Sequence, residues 1–99
     1  MLDKTRGMSG DGRLIWKQIS TATKMACGAR DAAYQNEPAY IQFTVANGRG
    51  KKIQIMLNPS DLYDVAYIQV GKKGIKTLEE ASDVFVEDLN ETIYRMVNK

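Results

Sequence analysis

The amino-acid sequence predicts an α+β fold: a helix, a three-stranded antiparallel meander and a C-terminal helix, with both helices on one sheet face. Three observations carry this. Ile53, Ile55 and Leu57 alternate with Lys52, Gln54 and Met56, the period of a half-buried strand. Asn58-Pro59-Ser60-Asp61 then places four turn formers in a row, and a second alternating run follows from Leu62 to Val70. Apolar residues at three- and four-residue spacing flank this hairpin on both sides.

The elements follow in chain order. Residues 1–12 hold three glycines and few large apolar side chains, which predicts a flexible arm, with a single α+β domain over 13–99. Gly7, Gly10 and Gly12 lack the preceding strand and following lysine of a phosphate loop. From Arg13 to Ala26, the residues Leu14, Ile15, Ile19, Ala22, Met25 and Ala26 form a helical stripe, with Asp11 as N-cap and Gly28 as C-terminal stop. Residues 29–38 are ambiguous between helix and loop. Tyr40–Ala46 alternates as a strand with Ile41, Phe43 and Val45 inward, and Asn47-Gly48 signals a hairpin connection. Gly71-Lys72-Lys73-Gly74 ends the meander. Thr77 and Glu80 have capping-box spacing, Ser82 offers a second N-cap, and Phe85, Leu89, Ile93, Met96 and Val97 form the last buried stripe.

Composition narrows the chemistry. Ninety-nine residues suit one domain, and 26% charged residues beside 43% hydrophobic ones argue against a disordered chain. With no histidine and one cysteine, Cys27, neither the usual zinc sites nor histidine-assisted nucleophiles can be built. Asp61 and Asp64 at the central turn have the residue types of a magnesium site, but backbone capping accounts for Asp61 and an exposed strand face for Asp64. The expectation is a non-enzyme with no cofactor and no metal. No run of about 18 apolar residues exists, so no membrane span is expected, and the first residues lack the apolar core of a signal peptide.

Net charge is only +2, so placement matters more than sum. Arg49, Lys51 and Lys52 fall at one connection of the meander, and Lys72, Lys73 and Lys76 at the other. A meander brings those two connections to the same end. Joined by Lys4, Arg6 and Arg13 of the arm, they are candidate contacts to phosphates of a nucleic acid or nucleotide, with Tyr40 and Tyr67 as stacking surfaces. Lysines that merely keep sheet edges soluble explain the same pattern. Trp16, Tyr40 and Tyr67 are the alternative candidates, as anchors for a protein partner; for Trp16 the competing explanation is a lid over the core edge. In a three-stranded sheet, Tyr40–Ala46 and Leu62–Val70 would be unpaired edges, and the face away from the helices would expose Tyr40, Met56, Tyr67 and Ile68. A homodimer covering them is expected.

The segment LNPSDLYDV, with Leu57, Asp61, Tyr63 and Asp64, resembles a recurring segment in a family of small, mostly uncharacterised proteins of tailed bacteriophages and prophages. Gly28-Ala29-Arg30-Asp31 resembles a second, weaker family segment, and the order helix, sheet, helix is similar from about Leu14 onward. The chain departs from the family in a longer loop around Leu78–Ser82 and in lacking bulky residues before Gly28. The resemblance implies a phage protein acting in the cytoplasm of a bacterial host, without catalysis. Such accessory proteins bind nucleic acid or disable a host factor or defence complex, as anti-CRISPR proteins do.

Overall fold

Alternation along the central residues produces the sheet expected of them, and the ends of the chain enlarge it. The computed structural model describes residues 2–46 and 49–98. Three helices, α1 (Gly12–Gln18), α2 (Thr21–Cys27) and α3 (Val86–Val97), accompany five strands: β1 (Arg30–Asn36), β2 (Ala39–Thr44), β3 (Lys51–Leu57), β4 (Tyr63–Gly71) and β5 (Gly74–Val84). The strands form one antiparallel meander in the order β1-β2-β3-β4-β5. The fold is α+β, but the sheet has five strands where three were expected. The Asn47-Gly48 hairpin signal lies outside the described residues. No helix among the described residues is long and apolar enough to cross a membrane.

The predicted N-terminal helix is two helices. Asp11 caps α1 as expected, its side chain accepting from the Arg13 amide. The apolar stripe runs on past Gln18, yet the backbone turns extended at Ile19 and Ser20. Ser20 then caps α2 by accepting from the Thr23 amide at 3.1 Å. Asn90 of α3 holds this break, accepting from the Ser20 amide at 2.8 Å and donating to the Gln18 carbonyl at 3.2 Å. Breaking the helix leaves Leu14 and Met25, both placed on the predicted buried stripe, exposed. Gly28 ends α2 in the left-handed region at φ 61°, as a C-cap glycine should.

The region from Gly74 to Val84 is a strand, not the start of the last helix. Thr77 and Glu80 therefore form no capping box; α3 begins at Val86 with Phe85 at the N-cap, and Phe85 is exposed rather than part of the buried stripe.

The main core lies between the helices and one sheet face. Cross-strand neighbours Ile41, Ile55 and Val65, and beside them Phe43, Ile53 and Tyr67, share that face by register. Ile15, Ile19, Leu89, Ile93 and Met96 pack onto it. Each of these is at most 6% exposed, which removes the apolar surface that drives the fold.

The second face is covered too. Residues 2–12, expected as a flexible arm, lie across it: the Met8 amide donates to the Leu57 carbonyl at 2.9 Å, the Ala39 amide to the Met8 carbonyl at 2.8 Å and the Gly10 amide to the Asn36 carbonyl at 2.9 Å. The glycines permit this approach. A Cβ on Gly12 would strike the Gln35 and Tyr40 carbonyl oxygens. Met56 and Ile68 are consequently buried, as is Tyr40, while Tyr67 faces the helices. β2 and β4 are interior strands; the edges are β1 and β5. The open face and the two free edges behind the homodimer expectation are thus absent, because the chain itself supplies both covers.

Under this segment sits a polar layer. Tyr40 donates to Gln42 Oε1 at 3.1 Å, Gln54 Nε2 donates to the same oxygen at 3.0 Å, and the Leu2 amide donates to Gln54 Oε1 at 3.3 Å. Burial pushes the Tyr40 hydroxyl up to about 12, with a hydrogen bond to the Gln54 side chain opposing the rise. The folded state therefore holds this proton more tightly than the unfolded chain. Its stabilising contribution is complete below pH 10 and is lost as pH rises from 10 to about 12. Unfolding titrations should show the wild type losing stability relative to Tyr40→Phe across that window. Parallel curves there would contradict a buried, protonated Tyr40.

Candidate nucleic-acid interface

An antiparallel meander returns alternate connections to the same end, and here the connection after β2 is bonded to the last residues of β4. The Val70 amide donates to the Gly50 carbonyl at 2.8 Å, and Gln69 Nε2 donates to the Arg49 carbonyl at 3.4 Å. Gly50 makes the contact possible, since it sits at φ 70° and a Cβ there would run into the Val70 carbonyl oxygen. The connection after β2 and the turn after β4 are in this way held side by side.

The six basic residues of the two turns are brought together as expected. By register, Lys51 and Lys76 flank Gln69 on the helix side, while Lys52 stands beside Thr44 on the other face. Lys52 Nζ donates to Thr44 Oγ1 at 2.9 Å, and Lys51 Nζ lies 5.8 Å from the Tyr67 ring centre. Arg49, Lys72, Lys73 and Lys76 are exposed. Arg30 joins them, because it opens β1 opposite Thr44. Its contact with Asp31 is 3.6 Å long and open to water, a pair of little energetic consequence. Nothing in the sequence placed Arg30 here, since 29–38 alternates too weakly to show as a strand.

The arm residues do not join the patch. Lys4 Nζ sits 4.2 Å above the Tyr40 ring and donates to Gln35 Oε1 at 3.2 Å. Arg13 Nη2 donates to Tyr34 Oη at 2.6 Å, a bond that holds the guanidinium proton more firmly than usual. Arg6 lines a cleft of about 500 Å³ with Asn58, Asp64 and Asp83. The hydrogen bonds of Met8 and Gly10 pin this segment near Leu57 and Asn36, at the opposite end of the sheet from the two basic turns.

The aromatic candidates are also placed otherwise. Tyr40 and Tyr67 are 5% and 6% exposed, too enclosed to present a ring face to a base or a partner. Among the described residues the Tyr67 hydroxyl has no hydrogen-bond partner. Trp16 packs edge-on against Phe43 at 5.2 Å and carries Lys24 Nζ 4.1 Å above its ring, so it closes the core edge as a lid.

At the other sheet end, beside Lys4, Arg6 and Arg13, carboxylates predominate. The connection before β4 carries Asp61, β4 and β5 contribute Asp64 and Asp83, and α3 starts with Glu87 and Asp88. Asp61, at φ 62°, is a turn residue whose amide donates to the Asn58 carbonyl at 3.0 Å. Asp64 accepts from Asn58 Nδ2 at 2.9 Å. Among the described residues no group of three or more His, Cys, Asp and Glu side chains is arranged to hold a metal ion. Burial raises the Cys27 thiol, which favours its neutral form. A net charge of +2 thus conceals a molecule polarised along its strands. No family model, curated protein or solved structure matches the chain.

Proposed function

We propose that the chain is a non-enzymatic phage accessory protein that binds the phosphates of nucleic acid or a nucleotide in the bacterial cytoplasm. The observation supporting this is the convergence of seven basic side chains, Arg30 and the six beside the two connections, at one sheet end. Cations gathered on a rigid edge release counterions together when a polyanion docks, which produces affinity without base recognition. With both candidate stacking tyrosines buried, the expected mode is backbone contact with weak sequence preference.

If the five exposed cations Arg30, Arg49, Lys72, Lys73 and Lys76 each meet a phosphate, log affinity should fall with log salt at a slope of about −3.5 to −4.5. Fluorescence anisotropy with labelled single strands, duplex and RNA measures this. The Lys72→Glu/Lys73→Glu pair should weaken binding strongly at low salt and flatten the slope by about 2. Absence of binding to all three probes, or an unchanged slope in that pair, would remove the proposal.

The second reading is a module that inhibits a host protein. It is favoured by Met25 and Tyr94, which stand 78% and 52% exposed on the helix layer, rather than by Trp16, Tyr40 or Tyr67. A partner retained at high salt after nuclease treatment, and lost with Tyr94→Ala, would select it over phosphate binding.

A further inference from the structure

We propose that the acidic end of the chain carries a docking groove for the β4–β5 hairpin tip of a second copy, so that copies associate head to tail. The groove has a volume of about 340 Å³ between α1, the turn before β4 and the start of α3. Leu14, Leu62, Phe85 and Val86 form its apolar walls, and Asp11, Asp61 and Glu87 its carboxylate rim, with no lysine or arginine among its lining residues. Leu14, Phe85 and Val86 are 49%, 55% and 43% exposed, so several apolar side chains meet water at one place.

The complementary shape and charge stand at the far end of the same sheet. Val70 and Ile75 are cross-strand partners on one face of the hairpin, 40% and 49% exposed, and Lys72 and Lys73 form the turn between them. A Cβ added at Gly71 or Gly74 would meet nothing within 4 Å, so the tip projects clear of the body. The tip offers two branched apolar side chains beneath two ammonium groups, and the groove offers an apolar floor beneath three carboxylates. Apolar burial would supply affinity and the charges orientation.

One copy cannot fill its own groove. β4 runs from Tyr63, which lines the groove, to Gly71 at the tip, a span of roughly 26 Å at the rise of an extended strand. The contact joins unlike surfaces and leaves one tip and one groove free in every assembly that does not close into a ring.

Sedimentation velocity across a concentration series tests this. In low salt the wild type should grow in mass from 11.1 kDa with concentration, and added salt, which screens the orienting charges, should weaken the growth without abolishing it. A groove variant, Leu14→Ser/Phe85→Ser, and a tip variant, Val70→Ser/Ile75→Ser, each replace exposed residues; circular dichroism should show both folded. Each should associate at least about tenfold more weakly, since burial of two apolar side chains is lost. An equimolar mixture of the two retains one intact tip and one intact groove. It should form a complex of twice the chain mass and stop there, which an interface between two like surfaces would not do. The groove variant keeps every lysine and should still bind nucleic acid, so this test does not depend on that activity. A wild type that stays at 11.1 kDa throughout, a groove variant that associates like wild type, or a mixture that remains monomeric would overturn the proposal.

Discussion

Replacing Phe43 with alanine is expected to remove about 3–5 kcal/mol of stability, the range for truncating a buried aromatic in a core that cannot collapse around the void. Phe43 is 1% exposed at the middle of the sheet, opposite Ile53, and its ring meets Trp16 edge-on at 5.2 Å. The neighbours are rigid strand residues on one side and the α1 lid on the other, so little relaxation is open to them. Domains of this kind hold about 5–15 kcal/mol in total. The variant should therefore unfold at much lower urea, with Trp16 emission shifting to the red even under native conditions as its packing partner vanishes. Phe43→Leu, which keeps most of the volume, should cost under about 1.5 kcal/mol. A Phe43→Ala loss below about 1 kcal/mol would mean that the helix layer is not packed on the sheet as described.

Asn58→Asp should destabilise the protein by about 3 kcal/mol at neutral pH, and acid should partly restore it. Asn58 is 5% exposed, and its amide group donates to Asp64 Oδ1 at 2.9 Å and to Asp83 Oδ1 at 2.8 Å. Its Oδ1 accepts from the Ser60 and Leu62 amides at 2.9 and 3.1 Å. One side chain thus closes the turn and separates two carboxylates with a pair of donors. Each bond to a carboxylate belongs to a class worth about 1.5–3 kcal/mol, reduced here because Asp83 is open to water. A carboxylate at position 58 keeps the acceptor but turns both donor contacts into repulsions. The new carboxyl would take up its proton at higher pH in the folded state than in the unfolded one. The variant's stability relative to wild type should accordingly rise as pH falls, opposite to the usual behaviour of a paired acid. Denaturant melts at neutral and mildly acidic pH would show it. A deficit constant with pH would mean that the three side chains do not meet.

What could be read from the sequence follows a physical line. β2, β3 and β4 were legible because their inward side chains alternate with polar or smaller ones, and because Asn58 to Asp61 is dense in turn formers. Asp11 and Gly28 were legible because caps act locally, through one side chain or one left-handed residue. β1 and β5 were not, for they are edge strands with most residues in water on both faces, so neither carries an alternation to detect. Acidic residues and a Thr77–Glu80 spacing made β5 look like a helix start, and only its pairing with β4 decides otherwise.

The candidate site divides in the same way. That the two basic turns share an end follows from strand connectivity alone, so Arg49, Lys51, Lys52, Lys72, Lys73 and Lys76 could be grouped from the sequence. That Arg30 stands with them, and Lys4, Arg6 and Arg13 do not, depends on contacts made between distant residues. Glycines at 7, 10 and 12 read as flexibility in isolation, whereas in the fold they permit close passage over Pro38, Ala39 and the Tyr40 carbonyl. Likewise the break at Ile19–Ser20 is held by Asn90, seventy residues from Ser20. Local patterns of polarity and turn chemistry determine which segments are central strands and where helices are capped. Which segments cover exposed faces and edges is settled only when the whole chain competes for them, because that gain in burial and hydrogen bonding belongs to pairs far apart in sequence.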